Sequence, residues 1–161
     1  MRIHLVSIFT VIGLLFSAPL SAQNIMLGLG GRVGATLDPD QGHAGLHLTL
    51  GGLAERVRFQ PNVELGMGSD MTVVAINPEV IVPFRRHGRW TPYAGAGLGL
   101  NIIRFDKKVF PGEDNELEVG LNLLGGYETR VADKVKLFVE GKVGIGDSPD
   151  FKVAFGFTVF H

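Results

Sequence analysis

The chain has no cysteine, so disulfide frameworks, Cys-based zinc sites, thiol nucleophiles and a lipid-modified N-terminal cysteine are all excluded. It also lacks a dominant charge: 15 Lys+Arg stand against 16 Asp+Glu, which removes the electrostatic basis for nucleic-acid binding. After the first 22 residues no apolar run is long enough to cross a bilayer as a helix. At 161 residues there is length for one domain rather than two. What is present in excess is glycine, 23 residues, about twice the usual ~7% and without a G-X-Y period. With 45% hydrophobic residues and a mean hydropathy of +0.24, disorder is also excluded.

Residues 1–22 read as a secretory signal peptide. Arg2 supplies the basic start, residues 5–16 the apolar stretch, and Ser17-Ala18-Pro19-Leu20-Ser21-Ala22 a small-residue cleavage region. The apolar stretch is shorter than the ~20 residues of a membrane-spanning helix, so the expectation is export rather than anchoring. The mature domain is then residues 23–161.

From residue 25 onward apolar residues recur at alternate positions, the signature of strands with one face in an apolar medium. Eight segments follow this rule. The clearest sets Trp90, Ala94, Ala96, Leu98, Leu100 and Ile102 against Tyr93, Gly95, Gly97, Gly99 and Asn101. Several segments run to about 10 residues, enough to span an outer membrane when tilted. Alternation alone does not separate a soluble barrel, apolar inside, from a membrane barrel, apolar outside. Glycine does. Most glycines after residue 22 share the face opposite the apolar one, and a solvated glycine face would weaken strands without any gain in packing. A narrow eight-stranded lumen, in contrast, needs small residues beside its large polar ones. The fold expected is an all-β, eight-stranded antiparallel up-and-down transmembrane β-barrel with its apolar face outward.

Hairpin geometry sharpens the expectation. A turn at Ser69-Asp70 places Gln60 opposite Glu79, Asn62 opposite Asn77 and Pro61 opposite Pro78. A turn before the seventh strand places Glu128 against Lys136, Asn122 against Lys142, and Phe138 over Gly126. Each proline forfeits a ladder hydrogen bond, so a local bulge is expected at Pro61 and Pro78. With both termini at the periplasmic side, residues 53–56, 85–89 and 129–134 are short periplasmic turns. The one substantial external loop is 104–116. Phe84, Trp90, Tyr127 and Phe157 fall near the periplasmic ends, where an aromatic girdle belongs.

Three stretches carry a resemblance: Val57-Arg58-Phe59-Gln60-Pro61-Asn62-Val63-Glu64-Leu65-Gly66, then Asn77-Pro78-Glu79, then Thr91-Pro92-Tyr93-Ala94-Gly95-Ala96-Gly97-Leu98-Gly99. They resemble the outer-membrane protein β-barrel domain family, the small eight-stranded OmpA-like and opacity-type barrels. That resemblance implies a cell-envelope protein of the outer membrane. Its partners would be outer-membrane lipid, lipopolysaccharide and the barrel-assembly machinery, which reads an aromatic on the last strand, here Phe155 or Phe157. It leaves the role open, since such barrels include anchors, pores, adhesins and some lipid-modifying enzymes.

The residues expected to form a polar network in the lumen are Arg58, Gln60, Asn62, Glu64, Asn77, Glu79, Glu128, Glu140 and Lys142, with Glu118 and Lys152 on the same face. Either they line a narrow selective pore or they close it as a hydrogen-bonded plug, and for eight strands the plug is favoured. Asp38, Asp40, His43, Ser69 and Asp70 gather at the expected external rim. A hydroxyl beside a base suits an acyl-cleaving enzyme, but these are also ordinary turn residues. His47 reads as interior filler. The expectation is a monomer with a structural or surface-interaction role, without catalytic residues, metal or cofactor. The alternatives are a lipid-A-modifying barrel enzyme, a narrow porin-like pore and a soluble periplasmic lipocalin-like barrel.

Overall fold

In the computed structural model the residues described are 27–37, 40–54, 56–69, 71–105, 116–146 and 151–161. The expected signal peptide, Asp38, Asp70 and most of the expected 104–116 loop lie outside them. Ten strand segments follow in order: β1 (Leu27–Leu37), β2 (Gln41–Ala54), β3 (Val57–Phe59), β4 (Asn62–Met67), β5 (Met71–Asn77), β6 (Glu79–Pro83), β7 (Trp90–Phe105), β8 (Glu116–Ala132), β9 (Val135–Gly146) and β10 (Phe151–Phe160). All pairings are antiparallel, and β1 pairs with both β2 and β10, so the sheet closes on itself. β3 with β4, and β5 with β6, are single strands interrupted at proline. The ring therefore has eight strands and no open edge.

Period-two alternation sorts the side chains as the glycines require. Leu29, Val33, Leu46, Val63, Leu98, Leu121, Val143 and Phe155 are exposed on the outer wall, whereas Arg32, His47, Glu64, Glu79, Asn101 and Glu140 are buried inside. A water-soluble protein arranges these classes the other way, so the outer wall is built for lipid. Phe84, Trp90, Tyr127 and Phe157 are all exposed on that wall, near the end where the tight turns lie. One of these turns is a two-residue hairpin at Gly88-Arg89, closed by reciprocal His87–Trp90 backbone bonds; Gly88 sits at φ 61°, a conformation glycine adopts without a Cβ penalty.

Two register expectations need correction. No bulge occurs at the prolines: Asn62↔Asn77 and Arg58↔Ile81 keep one register on either side of Pro61 and Pro78, as do Ile76↔Leu100 and Glu79↔Gly97 on the next seam. The reason is that each proline carbonyl still accepts a ladder bond, from Leu48 N–H at 3.0 Å and Leu98 N–H at 3.2 Å. The nitrogens that lack a hydrogen face away from one another, toward different strands, so each seam loses one bond and neither needs an extra residue. The bulges lie elsewhere, between Leu50 and Ala54 and between Arg130 and Ala132.

The β8–β9 hairpin lies two residues from the expected register, because its turn sits at Asp133-Lys134 and the second bulge takes back only one residue of that shift. Phe138 stands opposite Glu128, and Lys142 opposite Leu124. As a result Phe138 covers Gly156 rather than Gly126, and Gly126 is covered by Tyr93. Ile81, Tyr93, Leu124 and Phe138 form a small buried apolar cluster inside the barrel.

Candidate functional site

Glycine on the concave wall makes room for the site. A Cβ at Gly30, Gly34, Gly45, Gly95, Gly97, Gly126 or Gly156 would run into the carbonyl oxygen of the neighbouring strand; the outward Gly125 has nothing closer than 3.7 Å. Tight curvature crowds backbones on the inner face, so glycine there serves closure of the ring as well as space for large side chains.

Into that space project three cations and three carboxylates. Arg32 on β1 donates from Nη1 to Glu140 at 3.0 Å and to Glu64 at 3.3 Å. These partners lie two strands away in opposite directions around the ring. Lys142 Nζ on β9 donates to Glu79 at 2.6 Å and Glu64 at 3.1 Å, with Glu140 at 3.8 Å. Lys152 on β10 reaches Glu64 at 3.2 Å. All six side chains are at least nine-tenths buried, so their charges balance in a space that holds little water.

Neutral groups extend the cluster. Tyr93 donates to Glu140 at 2.9 Å, Asn62 to Glu79 at 2.7 Å, Asn77 to Asn62 at 2.8 Å, and Asn122 to Asn77 at 3.2 Å. The guanidinium of Arg32 also lies over the Phe138 ring, 5.4 Å from its centroid. Toward the turn end a second layer joins Arg58 and Lys136 to Glu128 at 2.9 and 2.8 Å. Elsewhere in the interior, His47 pairs with Thr158 Oγ1 at 2.9 Å and meets Phe138 edge-on, and Gln60 accepts from Thr49 at 3.2 Å.

No family model matches this sequence, and no characterised protein matches it in sequence. Solved structures do match. Neisserial surface protein A aligns over 85% of this chain and 97% of its own, with 16% identity and a TM-score of 0.65. The N-terminal β-barrel domain of Pseudomonas aeruginosa OprF aligns over 86% and 98%, with 12% identity and a TM-score of 0.69. This chain has the fold of the small eight-stranded outer-membrane β-barrels. A de novo designed transmembrane β-barrel shares that fold, at 15% identity and a TM-score of 0.61 over 86% of this chain and 98% of its own. A wall assembled by design shows that the barrel as such carries no role, and the role must be read from its interior and rims.

The nine residues expected in the lumen network all point inward, but they form two groups and leave Gln60 apart from both. Glu64, Glu79, Glu140, Lys142, Asn62 and Asn77 join the central cluster, Arg58 and Glu128 form the second layer, and Gln60 bonds Thr49. Lys136 reaches Glu128 as expected, although diagonally; Asn122 bonds Asn77 and not Lys142. Sequence reasoning missed Arg32 and Tyr93 as network members. A signal existed for Arg32, a single arginine between Gly30 and Gly34 on the inward face of β1. At the opposite rim, His43 is buried and bonds Thr36 Oγ1 at 3.1 Å, while Ser69 and Asp40 are exposed. His43 is thus turned into the barrel instead of standing at the rim.

Proposed function

We propose that this protein is an exported, monomeric component of the outer membrane with a structural or surface-interaction role, no catalysis, and an interior closed to ions. The Lys142–Glu64 bond carries the reading: β9 and β4 lie four strands apart in an eight-strand ring, so the pair spans the diameter of the lumen. Arg32 and Lys152 meet the same carboxylate, leaving a path for an ion only if several buried pairs break together. Outer-membrane lipid and lipopolysaccharide are the expected contacts of the outer wall, and the assembly machinery its partner during insertion.

In planar bilayers the purified protein should give no steady conductance. Glu79→Gln and Glu140→Gln should lower the unfolding midpoint without opening a channel. Ion-selective steps in the wild type that either substitution alters would overturn the closed interior. Incubation with lipopolysaccharide should leave its acyl chains intact, and acyl loss abolished by Ser69→Ala would reverse the non-catalytic assignment.

A further inference from the structure

The turns at one end of the barrel carry a concentration of cations that neither the fold nor the interior network uses. Arg56 follows β2, Arg85, Arg86 and Arg89 occupy the β6–β7 turn, and Arg130 and Lys134 flank the β8–β9 turn. Because β3 pairs with β6 and β7 with β8, these three turns stand side by side. All six side chains are exposed. None makes an ion pair with a described residue; Arg86 Nε bonds the carbonyl of Gly88 at 2.9 Å. Asp133 is the only acid described in the same turns, Glu55 lying outside the described residues.

Immediately beside this charge runs an aromatic row. The Phe84 amide bonds the Pro92 carbonyl at 2.8 Å and Pro92 pairs with Tyr127, so Phe84, Pro92 and Tyr127 form one line across three strands. Trp90 lies one step nearer the turn, opposite Thr129. Phe84, Trp90 and Tyr127 are exposed on the lipid-facing wall. Such a row marks the level of the lipid headgroups. Arg85 and Arg89 directly adjoin Phe84 and Trp90 in sequence, within about 3.3 Å of rise, and so stand at headgroup depth.

We propose that the turn end of the barrel is a binding site for the phosphate headgroups of anionic phospholipid. Guanidinium forks match phosphate oxygens with two parallel bonds, and several arginines around one rim hold more than one headgroup at once. Contiguity with the aromatic row favours lipid over a soluble anion, since headgroups already occupy this depth. The interior adds to the same sign, because Glu128 there is matched by both Arg58 and Lys136. This site is independent of whether the lumen conducts.

The single tryptophan, Trp90, reports on this rim. The full chain, refolded into vesicles of phosphatidylcholine and phosphatidylglycerol in equal parts, is compared with one or the other lipid brominated in its acyl chains. Brominated phosphatidylglycerol should quench Trp90 with a relative association about five-fold above that of brominated phosphatidylcholine, on the scale of one basic side chain at an anionic surface. The preference should vanish in Arg85→Gln/Arg86→Gln/Arg89→Gln and in wild-type protein at high salt, and persist in Arg104→Gln at the other end of β7. Heat-modifiable migration confirms that each variant is folded, and the salt series needs no variant. Equal quenching by both lipids in the wild type would overturn the proposal. So would a preference that survives the triple substitution, or one that inorganic phosphate abolishes at an ionic strength where chloride does not.

Discussion

Glu64→Gln should lower the unfolding free energy by about 3–5 kcal/mol, the cost of removing one partner from a buried ion pair. Glu64 is met by Arg32, Lys142 and Lys152 at 3.3, 3.1 and 3.2 Å, more cations than any other carboxylate in the barrel's described residues bonds. Once it is neutral, Arg32 retains Glu140 and Lys142 retains Glu79, but Lys152 is left with no carboxylate among the described residues. The double variant Glu64→Gln/Lys152→Met should therefore recover part of the loss, a coupling that a double-mutant cycle isolates. Urea unfolding in detergent micelles, followed by Trp90 fluorescence, measures both. A single-variant loss below ~1 kcal/mol would mean that water solvates the cluster as it solvates a surface pair, and the closed interior would fall with it.

Glycine substitutions should split by face, in sign as well as size. Gly156→Ala places a methyl against the Phe138 ring and the Gly31 carbonyl. Phe138 cannot retreat freely, because His47 packs on its edge and Arg32 lies over its face. Overpacking of this kind costs about 1–3 kcal/mol. Gly125→Ala faces lipid with its nearest neighbour, the Tyr93 carbonyl oxygen, at 3.7 Å, so the added methyl meets no obstruction. Removing glycine's backbone freedom there should stabilise the strand by up to ~1 kcal/mol. The same urea titration decides the matter, and equal losses at the two positions would sink the link between inner-face glycine and wall curvature.

The faces of all eight strands were legible because alternation is local: each residue declares its side through its immediate neighbours. The Asn62–Asn77 hairpin was legible for the same reason, the turn at Ser69 fixing its register. The β8–β9 register was not, because the turn at Asp133-Lys134 is adjoined by a bulge at Arg130–Ala132, and alternation marks neither the turn's exact place nor the extra residue. Which inward residues meet across the lumen is a different kind of fact. It depends on the stagger accumulated around the whole ring, so Arg32 bridging Glu64 and Glu140 from strands on either side lies beyond any pairwise hairpin argument. The basic rim was likewise hidden, its members being scattered through three turns that become neighbours only when β3 pairs with β6 and β7 with β8.

Leu48, Pro61, Pro78 and Leu98 form one outward-facing line across four strands, and along it two ladder bonds are missing for want of proline N–H groups. A closed barrel has no edge at which to fray, so its compliance is concentrated wherever its hoops are thinned. Here the thinning lies on one side of the ring, and Pro83 in β6 and Pro92 in β7 continue it toward the turn end. Lateral pressure from the bilayer would therefore flatten this cylinder along a fixed direction, drawing its cross-section into an ellipse whose axes are set by where these prolines sit.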